Sequence, residues 1–234
     1  MAGRVYLIPT TMGDSGIDSV IPKDVIEIVK PLRFFIVEDL RSARRYLRKL
    51  DRTFDIDGSI FFEINKRTKQ VDLHKFFQTY KNKEIGVISE AGCPGIADPG
   101  ADVVKLAHSN NIKVVPLVGP SSILMALISS GMNGQNFAFV GYIPINKTDR
   151  INRIKELENR SFREHQTQIF IETPFRNTHL FNDILNNCNP NTKLCIATDI
   201  SLETEFIKTK TIENWRKTKI DIAKRPTVFL IHRY

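Results

Sequence analysis

Short β-branched runs alternate with amphipathic stretches through the first half of this 234-residue chain, and that alternation restricts the fold more than any other feature. Val5–Ile8, Phe34–Val37, Ile85–Ser89 and Ile112–Val118 read as buried strands. Helical periodicity runs through Lys23–Val29, Leu40–Leu50, Asp72–Tyr80 and Ala101–Ser109. Strands separated by helices of that length form a mostly parallel sheet covered on both faces. Ligands of such sheets bind beyond the carboxyl ends of the strands, so the loops after Ile8, Ser89 and Val118 are the places to look.

The second half has a different rhythm. A helical stretch at Ser121–Ser130 precedes strand candidates at Phe137–Val140, Gln168–Glu172, Leu194–Asp199, Thr204–Lys210 and Thr227–His232, with helices near Thr148–Asn159 and Pro174–Asn187. Several of these strands are close neighbours in sequence, which predicts a mixed sheet with hairpins. The expected fold class is therefore α/β, with two α/β domains: residues 1–117 around a mostly parallel sheet and residues 118–234 around a mixed one. With 41% hydrophobic and 26% charged residues, each half can bury a core.

The first apolar run, Val5–Ile8, is too short for a secretory leader, and no segment approaches the roughly 20 apolar residues of a membrane span. A cytoplasmic protein without a membrane role is expected. Cys93, Cys188 and Cys195 form no C-x-x-C pair, and an odd number suits a reducing compartment. The five histidines are scattered, none at metal-ligand spacing from a cysteine, so no metal is expected.

Two loops carry the chemistry. Ser89–Gly100, S-E-A-G-C-P-G-I-A-D-P-G, packs three glycines and two prolines into twelve residues after an apolar strand. Glycine opens backbone angles closed to other residues and lets a ligand approach the main chain, while proline stiffens the loop. Asp98 and the following helix start also fit a plain turn and N-cap, which accounts for the last four residues only. Val118-Gly119-Pro120-Ser121-Ser122 then leads into an apolar helix, offering either an N-cap serine or free N–H groups and hydroxyls for a ligand.

Five segments in order resemble the tetrapyrrole methylase superfamily, and within it the ribosomal RNA small-subunit methyltransferase I branch. They are L-I-P-T-T-M-G-D near the start, the Ser89–Gly100 loop, Val115–Met132, F-V-G-Y-I-P at Phe139–Pro144, and I-F-I-E-T-P-F-R-N at Ile169–Asn177. The resemblance implies two α/β domains with S-adenosyl-L-methionine folded into the cleft between them, usually in a homodimer. Carried over position by position, the cofactor-binding residues would be Pro9, Met12, Glu90, Cys93, Ile96, Ser121 and Ser122, with Thr173, Phe175, Ala197, Pro226 and Thr227 in the second domain. The implied reaction is methylation of a ribose 2′-hydroxyl in ribosomal RNA. C-methylation of a tetrapyrrole and a non-catalytic paralogue that binds cofactor or RNA are the alternatives.

The chain departs from that pattern in three places. Glu90 and Cys93 stand where the branch commonly has Asp and Thr, Thr11–Ser15 replaces a proline-isoleucine-glycine-asparagine loop, and the chain ends at Tyr234 without the C-terminal extension of longer members. No residue is assigned as a general base; Glu172 and Arg176, four apart, fit a structural ion pair as well as a place in the site.

RNA is the expected substrate partner. The net charge of +8 favours a polyanionic ligand. Arg41, Arg44, Arg45, Arg48, Lys49 and Arg52 line one side of a helix whose apolar stripe is Leu40, Ala43, Leu47 and Leu50. That side is either a solvated face or a phosphate-contacting one, and its lack of acids favours the latter. Lys147, Arg150, Arg153 and Lys155 form a second basic group. Phe61, Phe62, Phe76, Phe77 and Tyr80 fall in apolar periodic stretches and are read as core, not as a base-stacking platform.

Overall fold

The computed structural model describes residues 3–65 and 68–234. The chain divides into two compact units, Met1–Ser121 and Ser122–Tyr234.

In the first unit, β1 (Arg4–Ile8), β2 (Phe34–Val37), β3 (Ile60–Glu63), β4 (Glu84–Ile88) and β5 (Lys113–Pro116) form a sheet of order β3-β2-β4-β1-β5. Every neighbouring pair is parallel. Helices α1 (Ile17–Val20), α2 (Lys23–Val29) and α3 (Leu40–Leu50) follow β1 and β2, and α4 (Gln70–Tyr80) and α5 (Gly100–Ser109) flank β4. Val25, Val29, Ala43, Tyr46 and Leu47 pack on one set of strand side chains with Phe35 and Ile8. Leu73, Phe77, Val103 and Ala107 pack on the other set with Ile36, Ile85 and Val87. The inner strands β1, β2 and β4 are buried on both faces, which is why they read as continuous apolar runs.

The connections leaving the adjacent strands β2 and β4 go to opposite faces, since α3 joins the first cluster and α5 the second. Such a switch opens a crevice beyond the carboxyl ends of the two strands. The aromatics fulfil their core reading: Phe77 is fully buried, Phe61 stacks on Phe35, and Phe62, Phe76 and Tyr80 pack together.

In the second unit, β6 (Phe137–Tyr142), β7 (Thr167–Ile171), β8 (Lys193–Thr198), β9 (Phe206–Thr211) and β10 (Thr227–His232) form a sheet of order β6-β7-β10-β8-β9. Only β6 and β7 run parallel; the other pairs are antiparallel. Its core gathers α7 (Lys147–Glu164), α8 (Asn177–Asn187) and α9 (Ile212–Arg216) around Trp215, whose indole N–H donates to the Leu194 carbonyl at 2.8 Å. Helix α6 (Ser122–Ser130) packs against β8, β9 and β10.

The ends of the longer helices follow local chemistry. Asp39 accepts from the Ser42 N–H at 2.7 Å to start α3, and Asn146 accepts from the Thr148 and Asp149 N–H groups to start α7. Among the described residues no helix is long and apolar enough to cross a membrane.

Candidate functional site

In the first unit the loops after β1, β4 and β5 are tied together at the carboxyl edge of the sheet. The Thr10 N–H donates to the Gly92 carbonyl at 2.9 Å, and the Cys93 thiol lies 3.3 Å from the Pro120 carbonyl oxygen. Gly119 lies against the Pro9 ring with no room for a Cβ. The loop after β4 turns on Gly92 (φ 71°) and Gly95 (φ 90°), a left-handed backbone that favours glycine. A Cβ at Gly95 would meet nothing within 4 Å, so this stretch of main chain faces open space.

Asp98 closes the loop from inside. Its carboxylate accepts the N–H groups of Gly95 (2.9 Å) and Gly100 (2.7 Å), as the turn reading of these residues expects. Ile96 remains 46% exposed beside the open backbone. Burial pushes the Cys93 thiol above its ordinary pKa, which keeps it neutral and unsuited to act as a nucleophile.

Sequence reasoning missed three residues of this edge. Tyr46 is buried in α3, and its hydroxyl donates to the Pro9 carbonyl at 2.5 Å, pinning the first loop across 37 residues of sequence. A helical period that already included Ala43 and Leu47 was the available signal. Thr10 and Ser89 are 3% and 7% exposed, and their hydroxyls have no hydrogen-bond partner. Buried orphans of this kind call for a ligand or an ordered water.

Glu38, just after β2, is the fourth polar group of the crevice. Its carboxylate accepts the Glu90 N–H at 3.2 Å. Burial raises its pKa first, and the charges of Glu90, Asp98 and Asp39 add to that rise against the lowering effect of the Glu90 N–H. A raised folded-state pKa favours folding below the ordinary carboxylate range, and that contribution is lost as pH climbs through the raised value. Glu38→Gln keeps an acceptor for the N–H. It is expected to raise the Tm by about 1–3 °C at pH 7 and to leave it unchanged at pH 3, as read by thermal melts.

A pocket of about 720 Å³ opens at this edge, entirely within the first unit. The loop Thr10–Asp14, the stretch Ile88–Ala91 and the α3 residues Ser42, Arg45, Tyr46 and Lys49 line it. Met12 and Glu90, both expected at the site, are on its walls. Pro9 is buried behind it, and Ser121 lies where the first unit ends.

The second-unit residues gather at one edge of their own sheet. Thr198 of β8 and Thr227 of β10 are paired in register, and their hydroxyls are 3.0 Å apart. The Asp199 N–H donates to the Pro226 carbonyl, and the Lys224 N–H to the Pro174 carbonyl, which brings the 172–177 and 224–227 loops together. Phe175 stands 76% exposed there, with Thr173 half-buried beside it. Glu172 and Arg176 form an ion pair in which the carboxylate is buried and its Oε2 has no partner. Ser122 begins α6. Ala197 is fully buried inside β8, so its side chain offers no surface to a ligand, contrary to its expected place in the lining.

The basic residues separate. Arg41, Arg44, Arg45 and Arg48 are exposed, with Arg44 over the Phe61 ring at 5.3 Å and Arg48 donating to the Arg52 carbonyl. Lys49 is held by Asp14 at 3.2 Å and the Ser15 carbonyl at 2.8 Å. Lys147 is exposed at the start of α7. Arg150 is corrected: it is 7% exposed, pairs with Asp183 at 2.7 Å and donates to the Ile145 carbonyl, so it is a core ion pair and reaches no phosphate. Positions 150, 154, 157 and 161 share the buried stripe of α7.

Over 234 aligned residues the chain is 30% identical to the ribosomal RNA small subunit methyltransferase I of Buchnera aphidicola subsp. Schizaphis graminum, covering 98% of this chain and 78% of that protein. The chain belongs to the ribosomal RNA small subunit methyltransferase I family. No family model matches it. The solved structure of the methyltransferase CobJ shares the fold of this methyltransferase with a TM-score of 0.65, over 99% of this chain and 95% of that one at 15% identity. A uroporphyrin-III-C-methyltransferase from Thermus thermophilus does so at 0.57, over 98% and 94% at 12% identity. At those identities the likeness is one of fold, the tetrapyrrole-methylase architecture. The cofactor of such methyltransferases, S-adenosylmethionine, needs open backbone, apolar contact and polar partners. Gly95, whose backbone faces open space, and the half-exposed Ile96 of this member provide the first two.

Proposed function

We propose that this protein transfers a methyl group from S-adenosylmethionine to a ribose 2′-hydroxyl of ribosomal RNA, in the cytoplasm and as a homodimer. The observation that carries the reading is family membership along 98% of the chain, joined to a glycine-rich loop whose backbone is open at Gly95.

When bound, S-adenosylmethionine supplies a sulfonium methyl that passes to the acceptor oxygen, leaving S-adenosylhomocysteine and releasing the hydroxyl proton. With an activated donor, the protein's task is proximity and orientation. Tyr46 and Gly119 hold the Pro9 loop, and Asp98 holds the glycine-rich one. The cofactor-contacting residues of this reading are Pro9, Met12, Glu90, Cys93, Ile96, Ser121, Ser122, Thr173, Phe175, Pro226 and Thr227, and exposed Arg41, Arg44, Arg45, Arg48 and Lys147 take the RNA backbone. In support of self-association, Ile128, Tyr142 and Ile145 of the second unit are 81%, 58% and 67% exposed, as surfaces buried on association are. Sedimentation equilibrium at about twice the monomer mass of 26.8 kDa is the expected result.

The decisive experiment incubates purified protein with methyl-labelled S-adenosylmethionine and, separately, small ribosomal subunits, naked ribosomal RNA and a tetrapyrrole precursor. The expected label is in RNA, at a linkage that alkaline hydrolysis no longer cleaves. Label in the tetrapyrrole, or cofactor binding without transfer to any acceptor, overturns the reading.

A further inference from the structure

In the second unit, side chains rather than regular secondary structure fix the loops where β8 ends and β10 begins. Residues 217–226, between α9 and β10, form neither helix nor strand. Within them the Arg225 guanidinium donates to three separate places: Nε to the Asp199 carboxylate at 2.8 Å, Nη2 to the Thr204 carbonyl at 2.6 Å and Nη1 to the Asp221 carbonyl at 2.8 Å. The Arg225 carbonyl accepts in turn from the Asn177 side-chain amide at 2.7 Å and the Thr227 hydroxyl at 2.9 Å. We propose that Arg225 is a positioning residue for S-adenosylmethionine, holding the 173–177, 199–204 and 221–227 segments as one preformed surface on which Thr173, Phe175, Pro226 and Thr227 meet the cofactor. The proposal rests on the functional reading above and names a residue that acts in it without touching the ligand.

Three observations support it. The backbone is held in a conformation that it would not adopt alone: Asp199, Ser201 and Lys224 have φ of 51°, 70° and 59°, the left-handed region that is costly for residues other than glycine. Such angles persist where the surroundings over-determine them, and they cluster at ligand clamps. Asp199 Oδ2, on a residue only 8% exposed, takes both the Arg225 Nε and the Thr204 hydroxyl at 2.8 Å, so this ion pair has a fixed geometry that a loose surface pair lacks. The Thr227 hydroxyl is engaged inside the protein by the Arg225 carbonyl and the Thr198 hydroxyl. What this segment offers a ligand is therefore the placement of its main chain and of exposed Pro226. Only a planar fork reaches three acceptors at once; a lysine ammonium restores the charge without the geometry.

The test is calorimetry of S-adenosylmethionine binding to the full chain, with thermal melts and methyl-transfer kinetics on small ribosomal subunits. Arg225→Lys is expected to raise the Kd for the cofactor about 10-fold, because the loops must then be ordered on binding. The KM for the cofactor should rise with it, while kcat at saturating cofactor stays within about two-fold, as loss of binding common to ground and transition states requires. Asp199→Asn removes the same contact from its other side. It is expected to raise the Kd as well, and the double variant to raise it by less than the product of the two. Arg216→Gln is the control: this guanidinium, in the same unit, donates to the Leu185 carbonyl at 2.7 Å and has no bond to the Arg225 network. It is expected to lower the Tm by about 2–4 °C, as Arg225→Lys does, with the Kd unchanged.

An unchanged Kd in Arg225→Lys and Asp199→Asn, with wild-type binding intact, overturns the proposal and leaves the functional reading standing. A Kd raised equally in Arg216→Gln makes the effect one of general stability and also overturns it, as does a fall in kcat with the Kd unmoved. A wild type that binds no S-adenosylmethionine overturns the functional reading itself, and the proposal with it.

Discussion

Gly119→Ala is expected to cut the rate of methyl transfer by about 100-fold, the loss that a displacement of about 1 Å in a positioning element produces. The new Cβ would lie 2.2 Å from Cβ and 2.3 Å from Cγ of Pro9. Neither atom belongs to a flexible chain end, so the overlap is relieved only by moving the backbone. Pro9 has little freedom to yield: its carbonyl takes the Tyr46 hydroxyl, and the next N–H is bonded to Gly92. A shift therefore propagates from the loop after β1 into the glycine-rich loop. The stability cost of such overpacking is about 1–3 kcal/mol, small enough for kinetics on folded protein. Single-turnover rates, with thermal melts as the folding check, make the measurement; a wild-type rate would show that the register of these loops is immaterial to transfer.

Arg150→Ala is expected to cost about 3–5 kcal/mol of unfolding free energy, read from urea denaturation. The side chains of Arg150 and Asp183 are 9% and 10% exposed, and truncation leaves the Asp183 carboxylate buried without its cation. The Ile145 carbonyl also loses its donor. Replacing both partners with apolar residues, as in Arg150→Met with Asp183→Leu, is expected to recover most of the loss, because a buried pair is costly chiefly when half of it remains. An exposed phosphate contact would behave oppositely, leaving stability untouched and changing the salt dependence of RNA binding. The two outcomes separate a core role for Arg150 from an RNA-binding one.

Much of the fold was legible in sequence, and the departures have local causes. Phe34–Val37, Lys23–Val29, Leu40–Leu50 and Thr227–His232 have the same bounds in both readings, because a buried strand or a capped amphipathic helix declares itself within its own residues. The edge strand Ile60–Glu63 did not stand out: it is four residues long, only partly buried, and too short to establish a period. The short helices Ile17–Val20 and Ile212–Arg216 were missed for the same reason of length. Arg150 was placed with surface cations because it sits among them in sequence. Its spacing to Ile154, Leu157 and Ser161 carried the contrary signal.

By itself the sequence determined the α/β class, the two kinds of sheet and the glycine-rich loop at Ser89–Gly100, because periodicity and the backbone freedom of glycine and proline act over a few neighbouring residues. Only the tertiary structure decided which polar groups are left unsatisfied. Thr10 and Ser89 are separated by 79 positions, and each looks like an ordinary hydroxyl in sequence. Their want of a partner exists only once parallel β1 and β4 stand side by side and α3 closes over their ends. Tyr46 and Arg45 are adjacent on one helix, yet packing sends one hydroxyl to Pro9 and leaves the other side chain's charge at the pocket wall. Burial and pairing are properties of what surrounds a residue, and those surroundings come from distant parts of the chain.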